Sequence, residues 1–262
     1  MHRVFSFLLS GCWLFLILLL RCQEQKTASE TAAENISVND AAKVESLDPS
    51  TGRIYGRVVL EGNVPKLLKL LVVKDVDVCG KTDHYDERLK IGKRNGIQHA
   101  VVSLTDIKNG KPLQVLGTEF VLDQRDCSYQ PHVLLVPVNT PVQILNNDGI
   151  LHNIHTFSKK NRPVNLAHPK YKEKLEMVFK HPEKISVKCD VHGWMSAWIV
   201  VVGHPYYAIT DADGRFSLDG IPAGTYTVTS WHELLGEQSA QVTVEAGASV
   251  SLELKYPRDQ RR

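Results

Sequence analysis

An all-β fold is the class this sequence predicts, and three observations predict it. Apolar or alternating runs of about four to eight residues recur from residue 53 to residue 254. None of them carries a sustained, capped helical period. Turn signals separate them, among them Gly62-Asn63, Asp213-Gly214 and Ala246-Gly247.

The chain has 262 residues, enough for one large or two small domains. Hydrophobic residues make up 43% and charged residues 23%, an ordinary globular composition. A formal net charge of +2 gives a nucleic-acid partner no support.

Taken in order, the chain opens on a leader at 1–22. Met1-His2-Arg3 is short and basic, and 4–20 is nearly all apolar, the pattern of a secretory signal peptide or a membrane anchor. The run is slightly short for a spanning helix. Cys12 sits inside it and Cys22 just beyond it, which leaves lipidation open; the location implied is periplasmic or otherwise extracytoplasmic. Residues 23–50 are polar and lack an apolar period, so they read as a disordered tether from a membrane. Strands are then expected at 53–60, 67–73 and 100–104, with 79–96 irregular. Further strands at 120–122, 132–137 and 142–145 lead to a turn at Asn146-Asn147-Asp148-Gly149. Residues 158–188 are basic, and 197–202 form an apolar strand. The last third, with strands around 208–218, 221–228, 241–244 and 249–254, reads as hairpins.

One loop carries chemistry. Cys189-Asp190-Val191-His192-Gly193-Trp194-Met195 sets a thiol, an imidazole and a thioether in the order Cys-x-x-His-x-x-Met, and His152 follows the turn upstream. Neighbours on an extended strand point to opposite faces, so only a loop between strands can turn several of them to one ion. Two histidines and a cysteine with a weak axial methionine form the ligand set of a blue-copper site. Methionine is a poor zinc ligand, and no Cys-x-x-Cys-His run supports covalent haem.

This loop resembles the copper-binding loop of cupredoxins, in the short form found in amicyanins. His152-Asn153-Ile154-His155 resembles the run that carries their first histidine, and the likeness covers roughly 117–203. It implies His152, Cys189, His192 and Met195 as ligands of one copper ion, with Asn153 bracing the cysteine loop. It also implies electron transfer, the electron leaving through His192 as the imidazole nearest the surface. Asn139 stands where such proteins often place a turn glycine, and asparagine tolerates that backbone.

The end of the chain resembles the carboxypeptidase regulatory-like (transthyretin-like) sandwich. Its signature is Thr210-Asp211-Ala212-Asp213-Gly214-Arg215-Phe216 followed by Pro222-Ala223-Gly224-Thr225-Tyr226. That family opens with strands like Ile54-Tyr55-Gly56-Arg57-Val58 and Ala100-Val101-Val102, which here precede the copper-like segment. The resemblance therefore implies a Greek-key cupredoxin-like sandwich at 107–203 inserted into a discontinuous sandwich of 51–106 plus 204–262, as in exported methylamine-utilisation or plastocyanin-like proteins.

With Cys189 on a metal, Cys79 and Cys127 remain as a disulfide pair; two free thiols, or extra metal ligands, are the alternatives. The basic run 158–188 is either a solvated face or a patch that steers an acidic redox partner. His132 could stand near the metal or be structural, His204 and His232 could make a second site, line the domain junction or be structural or solvent-exposed, and Trp194 could cover the site, meet a partner or fill the junction. His155 falls on the wrong strand face to join the ligands. No Ser/His/Asp order, paired-carboxylate motif or phosphate-cradling loop stands out, so no enzyme is expected. Copper storage or delivery and a non-redox binding or adhesion scaffold are the competing readings.

Overall fold

Strand after strand forms where the sequence alternates, and a computed structural model gives their pairing. It describes residues 48–257 apart from 106, 118 and 173; the leader and nearly all of the tether lie outside the described residues. Among the described residues no helix is long and apolar enough to cross a membrane. The chain begins with β1 (Thr51–Leu60), a short helix α1 (Val76–Cys79) and β2 (Val101–Thr105). There follow β3 (Val121–Arg125), β4 (Ser128–Gln130), β5 (Val133–Pro137), β6 (Pro141–Asn146) and β7 (His152–Phe157). Next come β8 (Asn165–His168), β9 (Lys174–Val178), β10 (Glu183–Lys188) and β11 (Ser196–Val202). The chain closes with β12 (Tyr207–Ile209), β13 (Arg215–Pro222), β14 (Gly224–His232), β15 (Gly236–Val244) and β16 (Ser249–Tyr256).

Pairing sorts these strands into two sandwiches. The sheets β5-β11-β10-β7-β8 and β4-β3-β6-β9 are built wholly from the middle of the chain, and β13-β1-β16 and β12-β2-β14-β15 from its two ends. The middle of the chain is thus inserted between β2 and β12. Each sandwich closes on its own core. In the inserted one, Ile185 and Val187 of β10, Ile199 and Val201 of β11, and Val142 and Ile144 of β6 point inward at every second position. Burying such a side chain stabilises by about 1.5–3 kcal/mol. Asn139 makes the turn from β5 to β6 with φ 61°.

β11 explains its own unbroken apolar run. Ala197, Ile199 and Val201 face the inserted core, while Val200 and Val202 face a separate cluster with Val101 and Val133, flanked by Trp198 and Trp231. That cluster joins the two sandwiches, so both faces of the strand are covered and alternation disappears.

In the outer sandwich β1 runs parallel to β16 and antiparallel to β13. The approach is so close at Gly56 that a β-carbon there would stand 1.7 Å from the Leu252 carbonyl oxygen. Asp211 closes the turn before β13 by accepting hydrogen bonds from the amides of Asp213 and Arg215, both at 2.8 Å, with Gly214 at φ 76°.

Two expectations need correction. Residues 67–73 form no strand: one isolated bridge pairs Lys69 with Tyr85. Leu71 is 81% and Val73 78% exposed, so the run lacks the buried face that would hold it in a sheet. Nor does all of 51–106 serve the outer sandwich. Val72, Val78 and Cys79 pack on the inserted core, and a disulfide joins Cys79 to Cys127. The excursion between β1 and β2 crosses to the other sandwich because its apolar and cysteine side chains find partners there.

Candidate metal centre

The centre is assembled at one end of the inserted sandwich. β10 delivers Cys189 one residue past its end, and Met195 returns the chain to β11. Met195 N donates to His192 O at 2.9 Å and Cys189 N to Met195 O at 3.3 Å, which closes the loop. β7 starts with His152, paired through β7–β10 with the strand that leads to the cysteine.

Three buried donor atoms meet here. The Nδ1 atoms of His152 and His192 lie 2.9 Å apart, and Cys189 Sγ lies 3.9 Å from the first and 3.8 Å from the second. These three form a group able to hold a metal ion. Cys189 is a free thiol, and both imidazoles are fully buried. Met195 is buried in the same core, 2% exposed.

Each imidazole turns its other nitrogen to a carboxylate. His152 Nε2 donates to Asp148 Oδ2 at 2.8 Å, and His192 Nε2 donates to Asp75 Oδ2 at 2.8 Å. Neutral rings so anchored carry their lone pairs on Nδ1, facing each other and the sulfur. At 2.9 Å the two Nδ1 atoms are within hydrogen-bond distance, with one proton between them in the metal-free protein. Burial works against a charged His152, yet Asp148 and the Cys189 sulfur outweigh it and its pKa is pushed up to about 8. Burial likewise opposes the Cys189 thiolate, but His152 and the amides of Asn153 and His192 prevail and its pKa is lowered. For His192 burial wins over Asp75, and the pKa is lowered.

Asn153 braces the loop: its Oδ1 accepts from the Asp190 amide at 2.6 Å and its Nδ2 donates to Asn165 at 2.6 Å. Trp194 covers the His192 ring at 5.1 Å and donates from Nε1 to Cys127 O at 3.1 Å, so it closes the site rather than the domain junction. His155 faces away and pairs with Asp190 at 3.0 Å. His132 stands at the junction, paired with Glu233, and His204 accepts from the Tyr206 amide at 3.3 Å. His232 is buried, which pushes its pKa down to about 4.

Neither imidazole reaches solvent directly, but His192 is the one with the shorter way out, because its carboxylate partner Asp75 is 39% exposed while Asp148 behind His152 is 6% exposed. The His192 side chain is itself fully covered, with Asp75 between its Nε2 and solvent. Sequence reasoning missed both carboxylates. Asp148 had a signal, lying four residues before His152 in the turn already singled out; its Oδ2 also accepts from the Cys127 amide at 2.9 Å. Asp75 had none, being 117 residues from its partner.

Fold and site together define an all-β protein whose inserted sandwich holds a buried cysteine–histidine cluster at one end. Residues 195–256 match the carboxypeptidase regulatory-like domain, the part of the chain that carries that family's signature. β1 and β2, from before the insertion, complete the same sandwich. A purple cupredoxin from Nitrosopumilus maritimus is 21% identical over 32% of this chain and all of its own, with a TM-score of 0.28. A Cu(I) form of an amicyanin mutant is 19% identical over 38% of this chain and 98% of its own, with a TM-score of 0.29. The copper-containing nitrite reductase of Thermus scotoductus SA-01 is 21% identical over 37% of this chain, with a TM-score of 0.30; the match spans 24% of the reductase. No curated protein matches this sequence.

Proposed function

We propose that this protein is an exported one-electron carrier that holds a single copper ion on His152, Cys189, His192 and Met195. The observation that carries the reading is the meeting of two imidazole Nδ1 atoms and one thiol sulfur, all buried, within 3.9 Å. The donor set fits the ion: a soft sulfur and two imidazoles suit both copper oxidation states, and all three donor atoms are buried and turned to one point. Met195, by its position in the loop, would be the fourth and weakest of the residues holding the ion.

Bound copper supplies a one-electron couple. The chain supplies the rest. Cys189 binds as the thiolate that its surroundings favour. Asp148 and Asp75 fix the tautomers and hold the rings, and Asn153 fixes the loop, so ligands need to move little when charge changes. The inserted core and Trp194 keep water out. A route to the surface runs through the hydrogen bond from His192 to Asp75.

The role is transfer, not catalysis. The Cys79–Cys127 bridge supports an extracytoplasmic, periplasmic setting, to which the leader would deliver the protein and where it could remain tethered. Lys159, Lys160, Lys170, Lys172, Lys180 and Lys188 are exposed, which suits an acidic redox partner met by electrostatic steering. Reduction rates independent of ionic strength would exclude that partner.

Loading with Cu(II) tests the function. An intense visible sulfur-to-copper band, reversible one-electron cycling and loss of the colour in Cys189→Ser are expected. Met195→Gln should keep the copper and shift the potential. Colourless, tightly held copper would mean storage or delivery, and no binding would leave a scaffold.

A further inference from the structure

Where the two sandwiches meet, a second set of donors has gathered without sulfur. His132, just before β5, is 4% exposed and directs Nε2 at Glu233 Oε1. Glu233, past the end of β14, is itself fixed, because its Oε2 accepts from Trp198 Nε1 at 2.8 Å. A carboxylate on Nε2 keeps the proton there and leaves the lone pair of His132 on Nδ1. That Nδ1 is buried and has no hydrogen-bond partner.

The ring packed against it repeats the situation. His99, just before β2, lies with its centroid 5.2 Å from that of His132, and its Nδ1 is also buried without a partner. A buried polar atom left unpaired destabilises the fold, so two on neighbouring rings need a reason. His99 also holds a left-handed backbone, φ 67°, a conformation that non-glycine residues seldom adopt. The third donor is Glu87. Its Oε1 is held by Lys90, and its Oε2 stands 4.0 Å from His132 Nδ1.

We propose that His99 Nδ1, His132 Nδ1 and Glu87 Oε2 form a second metal site, for a borderline divalent cation of the zinc(II) type, at the junction of the two sandwiches. Two imidazoles and one carboxylate, with a place left for water, are a ligand set zinc(II) accepts, and the absence of sulfur separates it from the copper cluster. Glu233 is the positioning residue that orients His132, as carboxylates do behind metal-bound histidines. Unlike the donors around Cys189, these three do not all lie within 4.8 Å of one another, so closing on an ion requires Glu87, a third exposed, to swing inward and the two rings to draw together. The ion would tie three parts of the chain together: the segment carrying Glu87 and His99, the inserted sandwich through His132, and the outer sandwich through Glu233. Such a clamp fixes how the sandwiches face each other.

The test uses the whole chain carrying His152→Ala and Cys189→Ser, which leaves the first site a single imidazole, stripped with a chelator and titrated with zinc(II) alone. One bound ion per chain by calorimetry and elemental analysis is expected, with a rise in Tm. Adding His99→Asn, a residue that tolerates the left-handed backbone, should weaken zinc(II) at least tenfold while circular dichroism stays that of a folded sandwich. Glu233→Gln should weaken it by a smaller factor. No zinc(II) bound to the doubly substituted chain, or equal affinity after His99→Asn, overturns the proposal. Neither result touches the copper reading, which is judged by the colour of the unmutated protein.

Discussion

Asp75 Oδ2 stands 2.8 Å from His192 Nε2, so a carboxylate from the excursion between β1 and β2 holds the imidazole of the cysteine loop. Replacing Asp75 by Asn removes a negative charge and the strongest acceptor behind that ring. Copper affinity should fall by about 10–100-fold in competition against a chelator, the usual cost of losing such a partner. The reduction potential should rise, because the lost charge favoured the more positive oxidation state. An unchanged potential and affinity would show that Asp75 caps the ring without acting on it.

The Cys79–Cys127 disulfide anchors that same excursion, with Asp75 only four residues before Cys79. It closes a loop with a sequence separation of 48, for which chain entropy gives about 4 kcal/mol. Replacing both cysteines by Ser should lower urea stability by an amount of that order. It should also weaken the hold of Asp75 on His192, read as faster copper loss to a chelator.

Glu183 makes acid stability testable. Burial raises its pKa, but Ser158, the Lys159 and Lys160 amides and Asn161 outweigh it, and the carboxyl is pulled from 4.5 down to about 2. A carboxyl with a lower pKa in the folded than in the unfolded state stabilises fully above the unfolded value. Its contribution therefore fades as pH falls from 4.5 towards 2. Glu183→Gln should lower Tm at pH 7 by a few degrees, about 2–4 °C per kcal/mol lost. The variant should also show a shallower fall of Tm across that acid window; parallel curves would show that Glu183 is not the responsible group.

Gly56→Ala should damage the outer sandwich, since the new β-carbon would meet the Leu252 carbonyl oxygen at 1.7 Å. Overpacking of this kind costs about 1–3 kcal/mol, and a backbone oxygen cannot rotate away. Denaturant unfolding that matched the unmutated protein would mean that β1 and β16 can separate at little cost.

The sequence by itself determined the all-β class, because alternation and turn residues are local and a strand needs only its own faces to be readable. Trp198 to Val202 shows the limit: covered on both sides, that run lost its alternation, and only the pairing revealed two cores meeting there. In 67–73 the apolar composition misled, since exposure is decided by neighbours rather than by residue type. The order Cys189, His192, Met195 could be seen in one loop, as could His152 after its turn. Tertiary structure alone brought Asp75 to His192, and Glu87 and His99 to His132, because charges and lone pairs act over a few ångströms of space and take no account of distance along the chain.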